Sequence, residues 1–179
     1  MLLPTLCYIA ALALPLGVAV AATDSNARPI DGRSAKEVID RLRLAPNVEG
    51  GYYAQTFEDP SRVVGGGNRS VSTLIYYLLE GAEGHSKWHR VDAAEVWHYY
   101  AGAPLTLSLS RDDGAPVAEH VLGPDIFHGQ APQVVVPGHV WQRAQSAGSW
   151  TLVGTTVAPG FTAGGFELAP PGWKPRDSC

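Results

Sequence analysis

After residue 44 the chain breaks into short runs rich in aromatic and β-branched residues, each closed by Gly, Pro or Asp. That punctuation constrains the fold more than any other feature, because runs of this length hold strands and not helices. The expected strands are Gly51 to Phe57, Val71 to Leu79, Ala94 to Ala101, Leu105 to Ser110, Val117 to Leu122, Gln133 to Val136, Val140 to Ala144, Trp150 to Val157 and Phe166 to Leu168. Gly65-Gly66-Gly67, Asp112-Asp113-Gly114 and Pro159-Gly160 mark turns. Such spacing predicts an all-β sandwich or barrel. A parallel-sheet enzyme would need helical patterns between strands, and none follows residue 44. The glycines at 65 to 67 lead into a strand pattern, so no helix N-terminus is offered to a nucleotide phosphate.

Before residue 44 the pattern differs. Ser34 stands three residues ahead of Glu37 at capping-box spacing, and Val38, Ile39 and Leu42 recur at helical period until Pro46, which predicts one short helix over 34–44. Residues 22–33 are polar, with Pro29 and Gly32, and read as a flexible leader. Residues 1–21 read as a secretory signal peptide: the run MLLPTLCYIAALALPLGVAVAA has no charged side chain and ends in a small-x-small pattern at Ala19-Val20-Ala21. The competing reading is a membrane anchor, since the run is near the ~20 residues that span a bilayer. Cleavage after Ala21 would place the mature chain in the secretory pathway, off the membrane, with Cys179 as its remaining thiol and no internal disulfide. Asn68-Arg69-Ser70 is then a candidate glycosylation site at Asn68. A net charge of -4 without a basic cluster argues against nucleic acid as a partner.

The segment WHRVDAAEVWHYYAG, residues 88–102, concentrates the chemistry. If Glu95 faces inward, strand alternation puts Trp97 and Tyr99 on its face and His98 on the other. A carboxylate among aromatic rings has a raised pKa and can serve as general acid or base near neutrality, with His89 as the complementary proton carrier. Competing readings are that Glu95 pairs with Arg69, Arg90 or Arg143, and that Trp88, Trp97, Trp141 and Trp150 are core packing. Glu49 reads equally as a ligand contact or a turn residue. His85, Lys87, His120 and His128 read as surface groups.

The residues that follow one another from Pro46 onward resemble a known family. Glu49-Gly50-Gly51-Tyr52-Tyr53, Arg69-Ser70 leading into Thr73 to Leu79, His89 to Gly102, Gly129-Gln130, Pro132 to Pro137, Trp141-Gln142, Val153-Gly154 and Val157 to Phe161 are similar to motifs of the cupin superfamily, in its cupin-5 or DUF985-like group. The resemblance implies a double-stranded β-helix, a jelly-roll barrel of all-β class with one short N-terminal helix, over residues 34–170. Residues 171–179 remain as a C-terminal tail. It also implies a frequent homodimer and a pocket in the barrel mouth. One of Tyr52 and Tyr53 should line that pocket, and Tyr52, Trp97, Tyr99, Gln133, Trp141 and Gln142 are the candidates for substrate contact.

Metal-binding cupins usually supply two histidines and a glutamate from one motif and a histidine from a second. By that resemblance His89 and Glu95 keep their places, Val91 replaces one histidine, and the last falls on Gln142. His89, Glu95 and Gln142 are therefore the candidate ligands for Fe, Mn, Ni or Zn; His98 and His139 point to the wrong faces. The chain departs from the family at Asn47-Val48, Pro137-Gly138-His139, Thr155 and Thr162-Ala163. The expected function is proton-transfer chemistry by His89 and Glu95 on a small oxygenated molecule, a sugar derivative or secondary metabolite, of isomerase, epimerase, cyclase or lyase type. The alternatives are a metal-dependent oxygenase and a non-catalytic small-molecule binder.

Overall fold

Side-chain alternation along the strands sorts this chain into two antiparallel sheets with one apolar layer between them. The computed structural model describes residues 28–176; the expected signal peptide, most of the leader and Cys179 lie outside the described residues. The elements are α1 (Ala35–Leu42), β1 (Ala45–Pro46), β2 (Tyr52–Glu58), β3 (Thr73–Glu80), β4 (His89–Val91), β5 (Ala94–Gly102), β6 (Leu105–Ser110), β7 (Ala118–Leu122), β8 (Gln133–Val136), β9 (Trp141–Ser146), β10 (Trp150–Ala158) and β11 (Phe166–Leu168). One sheet runs β1-β2-β3-β10-β5-β8 and the other β11-β4-β9-β6-β7. Neighbours in sequence often lie apart in the sheets, the crossing pattern of a jelly roll.

The inner layer joins Tyr77 and Leu79 of β3, Trp97 of β5, Val136 of β8 and Val153 of β10 to Leu105, Leu107, Leu122 and Ala144 of the opposite sheet. On the outer face of the first sheet α1 lays Ala35 and Val38 over Leu78, Ala101, Trp150 and Leu152. Ser34 and Glu37 form the expected reciprocal capping box, and the helix stops where Arg43 turns left-handed at φ 56°.

Two differences from the sequence reading concern the chain ends. The leader is docked from residue 28 on: Asp31 accepts from the Gly102 amide at 2.7 Å and the Arg33 carbonyl accepts from the Trp150 indole at 2.9 Å. A Pro- and Gly-bearing polar segment looks loose in sequence, but these long-range hydrogen bonds hold it. In the tail, Trp173 stacks on Trp141 with ring centroids 4.4 Å apart and meets Trp88 edge-on, covering the outer face of the second sheet.

The short strand β1 and its partner β2 frame a tight turn that matters for the site. Asn47 N–H donates to the Gly51 carbonyl and Gly50 N–H to the Asn47 carbonyl; Lys87 N–H reaches the Glu49 carbonyl at 2.7 Å and the Tyr77 hydroxyl the Gly50 carbonyl at 2.9 Å. The turn needs φ of 109° at Gly50 and 65° at Gly51, and a Cβ on Gly51 would overlap the Leu78 carbonyl oxygen. Gly51→Ala is therefore expected to destabilise the fold by about 2 to 4 kcal/mol, read as a lower denaturant midpoint at unchanged slope.

Candidate active site

The mouth of the barrel holds a cavity of about 320 Å³. Strand parity decides what faces it. On β2, Tyr53 and Gln55 point in while Tyr52 and Ala54 pack under α1; on β3, Thr73 and Ile75 point in; on β10, Thr155 and Val157 do. Two sheets contribute the polar floor: β5 brings Glu95 from one, and β4 brings His89 from the other. The turn after β1 adds Glu49.

His89 is 3% exposed, and its Nδ1 lies 3.0 Å from Glu49 Oε2 and 3.1 Å from the Lys87 carbonyl oxygen. A carbonyl oxygen only accepts, so Nδ1 carries a proton in either charge state and Nε2 is the nitrogen that gains or loses one. Asn47 Nδ2 donates to the other oxygen of Glu49 at 2.9 Å and fixes that carboxylate on the ring. Burial opposes the charged imidazole. The charge and hydrogen bond of Glu49, the charge of Glu95 and the Lys87 carbonyl outweigh it and hold the His89 pKa up to about 9.

Glu95, 6% exposed, accepts from Gln142 Nε2 at 2.6 Å, and Gln142 Oε1 accepts from the Trp97 indole at 2.9 Å. The indole N–H is a donor only, so the amide oxygen must face Trp97 and the amide NH₂ must face Glu95. Burial pushes the Glu95 carboxyl pKa up; the His89 charge and hydrogen bonds from Thr155 and Gln142 pull against it, and the Glu49 charge adds to the rise. The site thus sets one imidazole among two carboxylates out of water.

Among the sequence candidates, His89 and Glu95 are brought together on the cavity wall. Gln142 is opposite His89 in the ladder, fully buried, and lies behind Glu95 and not on the wall. Trp97 is packed behind it in the core. The others are placed elsewhere. Tyr52 is on the outer face and Tyr53 takes the lining position, one residue out of phase with the expected candidate. Tyr99 shares the inner face with Trp97 but is spent on the far end of β5, its hydroxyl donating to the Gly102 carbonyl at 2.6 Å. Gln133 pairs with His98 on the outer face, exposed on the edge strand β8. Trp141, next to the inward Gln142, points outward onto Trp173 and under the Arg90 guanidinium. Glu95 pairs with no arginine: Arg69 binds Asp92, Arg90 binds Glu167, and Arg143 lies over Trp88. His85, Lys87, His120 and His128 are exposed, as is Asn68, whose side-chain oxygen accepts from Arg62. Glu49, ambiguous in sequence, is the added site residue; its signal was an acidic side chain held ahead of two glycines.

The candidate metal set does not fit a tightly held ion. Gln142 turns its one ligating atom to Trp97 and presents its NH₂ to Glu95, which leaves His89 Nε2 and Glu95 as the donors of that set. Among the described residues no three His, Cys, Asp or Glu side chains are arranged to hold one. A larger groove of about 910 Å³ lies outside the barrel between α1 and Tyr76 and Tyr100. Its charged side chains lie at the surface, with Arg28 and Arg33 on Glu37 and Lys36 on Asp40, so the buried ionisable cluster points to the barrel mouth instead.

A jelly-roll barrel with a ligand-sized cavity and polar groups converging at its mouth is the architecture of cupins. The chain belongs to that superfamily: residues 36–169 match the family model described as Cupin superfamily (DUF985). It is similar to a solved protein of Shewanella oneidensis, with 32% identity and a TM-score of 0.70 over 76% of this chain and 85% of that one. It is also similar to a hypothetical protein from Leishmania major, 29% identical with a TM-score of 0.69 over 75% of this chain and 86% of that one. CapF, solved with the inhibitor 3-isopropenyl-tropolone, shares the fold alone, at 12% identity and a TM-score of 0.51 over 69% of this chain and 33% of that one. A search of the curated proteins returned no match.

Both raised pKa values mean that the folded chain binds more protons than the unfolded one. Stability from His89 is then complete below its unfolded pKa near 6.5 and lost as pH rises through about 9, and the Glu95 contribution declines in the same direction from lower pH. Thermal midpoints measured at fixed ionic strength should fall across this alkaline window, and His89→Phe should flatten the fall.

Proposed function

We propose that the protein is a proton-transfer enzyme of the secretory pathway acting on a small oxygenated molecule, with Glu95 and His89 as its acid/base pair. The observation that carries this reading is the placement of one imidazole between two buried carboxylates on the wall of a ligand-sized cavity. The secretory assignment is supported by the uncharged apolar run of residues 1–22.

The chemistry follows from how the two groups are set. Glu95 in its carboxylate form, its pKa raised by burial, takes a proton from a carbon next to a carbonyl. His89, protonated at neutral pH, gives its Nε2 proton to the carbonyl oxygen, and an enol results with charge balanced. Return of a proton to the other face of that carbon gives epimerisation and to a different carbon isomerisation; in elimination the enol returns its proton to His89 as the β substituent leaves with its bonding pair and takes up the proton held by Glu95. Glu49, in contact with Nδ1, lowers the energy of the imidazolium and so acts through His89. Positioned acid/base groups of this kind contribute about 10² to 10⁴ in rate.

Incubating the purified protein in D₂O with a panel of cyclic ketones, hydroxyketones and lactones tests the reading by NMR. Deuterium should enter next to the carbonyl of at least one compound, and Glu95→Gln should slow this by about 10²-fold or more while leaving the circular dichroism spectrum unchanged. The rate should rise with pH as Glu95 ionises and decline as His89 loses its proton near 9. Saturable binding with no exchange in any compound would make the protein a carrier, and exchange unaffected by Glu95→Gln would remove the proposed base.

A further inference from the structure

The charge balance of the cavity deepens this reading by naming the class of molecule that fits. We infer that the barrel mouth takes uncharged or cationic ring-bearing molecules and rejects anionic ones, so that phosphorylated, nucleotide-linked and carboxylate-bearing compounds are not its substrates.

Four observations combine. The charged or titratable side chains on the cavity wall besides Tyr53 are Glu49, Glu95 and His89; no lysine or arginine is among the lining residues. The cations close in sequence or space to the wall are committed elsewhere. Arg69 forks onto both oxygens of Asp92 at 2.9 and 2.7 Å and also reaches the Gly160 carbonyl, Arg90 holds Glu167 at 2.7 Å, and Lys87 Nζ donates to the Val48 carbonyl at 2.8 Å.

Three backbone donors at the rim are committed too. Phe161 N–H donates to Thr73 Oγ1, Gly160 N–H to the Ser70 carbonyl, and Gly50 N–H to the Asn47 carbonyl. The N-terminus of α1 lies on the outer face of the sheet and is capped by Ser34. That N-terminus is therefore not turned to the cavity to hold a phosphate. Finally, the apolar part of the wall is formed by Ile75, Val91 and Val157 inside and Val48, Phe161 and Phe166 at the opening, and its remaining polar side chains, Asn47, Gln55, Thr73 and Thr155, are uncharged. A volume of about 320 Å³ is at the small end of ligand pockets and suits one or two rings.

A dianion placed in such a cavity would lose its hydration, find no cation on the wall besides the His89 imidazolium, and face two carboxylates in a medium of reduced dielectric. A neutral ring forfeits nothing of that kind. An amine gains Glu49 or Glu95 as a counter-ion. The inference rests on the proposed reading only for where the molecule sits, since charge selection precedes any bond making.

A series with one ring and three charges isolates the effect: benzylamine, benzyl alcohol and benzyl phosphate, titrated into the purified protein at pH 7 and constant ionic strength, with affinity read by isothermal calorimetry and ligand-observed NMR. The amine and the alcohol should saturate within about 10 mM, and the phosphate should bind at least about tenfold more weakly than the alcohol. Glu49→Gln and Glu95→Gln, made separately, should each narrow the amine-to-phosphate ratio, so one variant that fails to fold leaves the other. Phosphate binding as tight as the alcohol, absence of saturation by both alcohol and amine, or a ratio unmoved in every folded variant overturns the inference. Exchange and affinity fail separately. Deuterium exchange on a phosphorylated ketone would sink the charge selection and keep the chemistry, whereas the expected affinity order without exchange would do the reverse.

Discussion

The buried amide of Gln142 ties the two sheets of this barrel together. It accepts from Trp97 and donates to Glu95, both on the opposite sheet, with no solvent access. A buried amide without partners costs several kcal/mol, and a buried carboxylate without them costs more. Each of the three groups is therefore tolerable only because the other two are in place. Among the described residues the buried side-chain atoms lacking a partner are Ser108 Oγ and Arg143 Nε, and neither is in this cluster. The bridge fixes the rotamer of Glu95 from behind and leaves the wall of the cavity to form in front of it.

The same economy explains Glu49. An imidazole that is charged and buried needs an anion, and the anion needs a donor of its own. Asn47 supplies that donor from two residues away, and the glycines that follow bend the chain so that both reach inward. Tyr77 and Lys87 lock the turn through its carbonyls. A loop that looks like punctuation is in effect a rigid arm carrying a carboxylate, and its rigidity comes from backbone hydrogen bonds and not from packing of its own side chains.

Alternation made the long strands legible. Glu95, Trp97 and Tyr99 do share the inner face of β5 and His98 does lie outside, because nine residues of period-two pattern leave one register that buries the aromatics. The same rule could not decide Tyr52 against Tyr53, where both faces of β2 are covered, one by α1 and one by the cavity. It failed for Trp141 because an apolar ring beside Gln142 looks as if it should be the inward residue. The outward face is buried by Trp173, which arrives from more than thirty residues away in the tail. β4 was invisible, since three residues carry no periodicity, yet it positions His89. Tertiary partners that come from remote sequence are what the local pattern lacks.

The departures at Val91 and Gln142 change the role of the carboxylate they surround. A histidine at either place would offer a lone pair toward the cavity; valine offers none, and the indole of Trp97 obliges glutamine to offer hydrogens instead. This carboxylate has its oxygens oriented by hydrogen bonds while burial raises its pKa, which suits it to trade a proton with a neighbour. Of the remaining polar groups, Glu49 and His89 are already joined to one another. On the proposed reading, a position that serves coordination elsewhere in the superfamily serves here to set the basicity of Glu95, and the charge that an ion would have contributed is carried by His89.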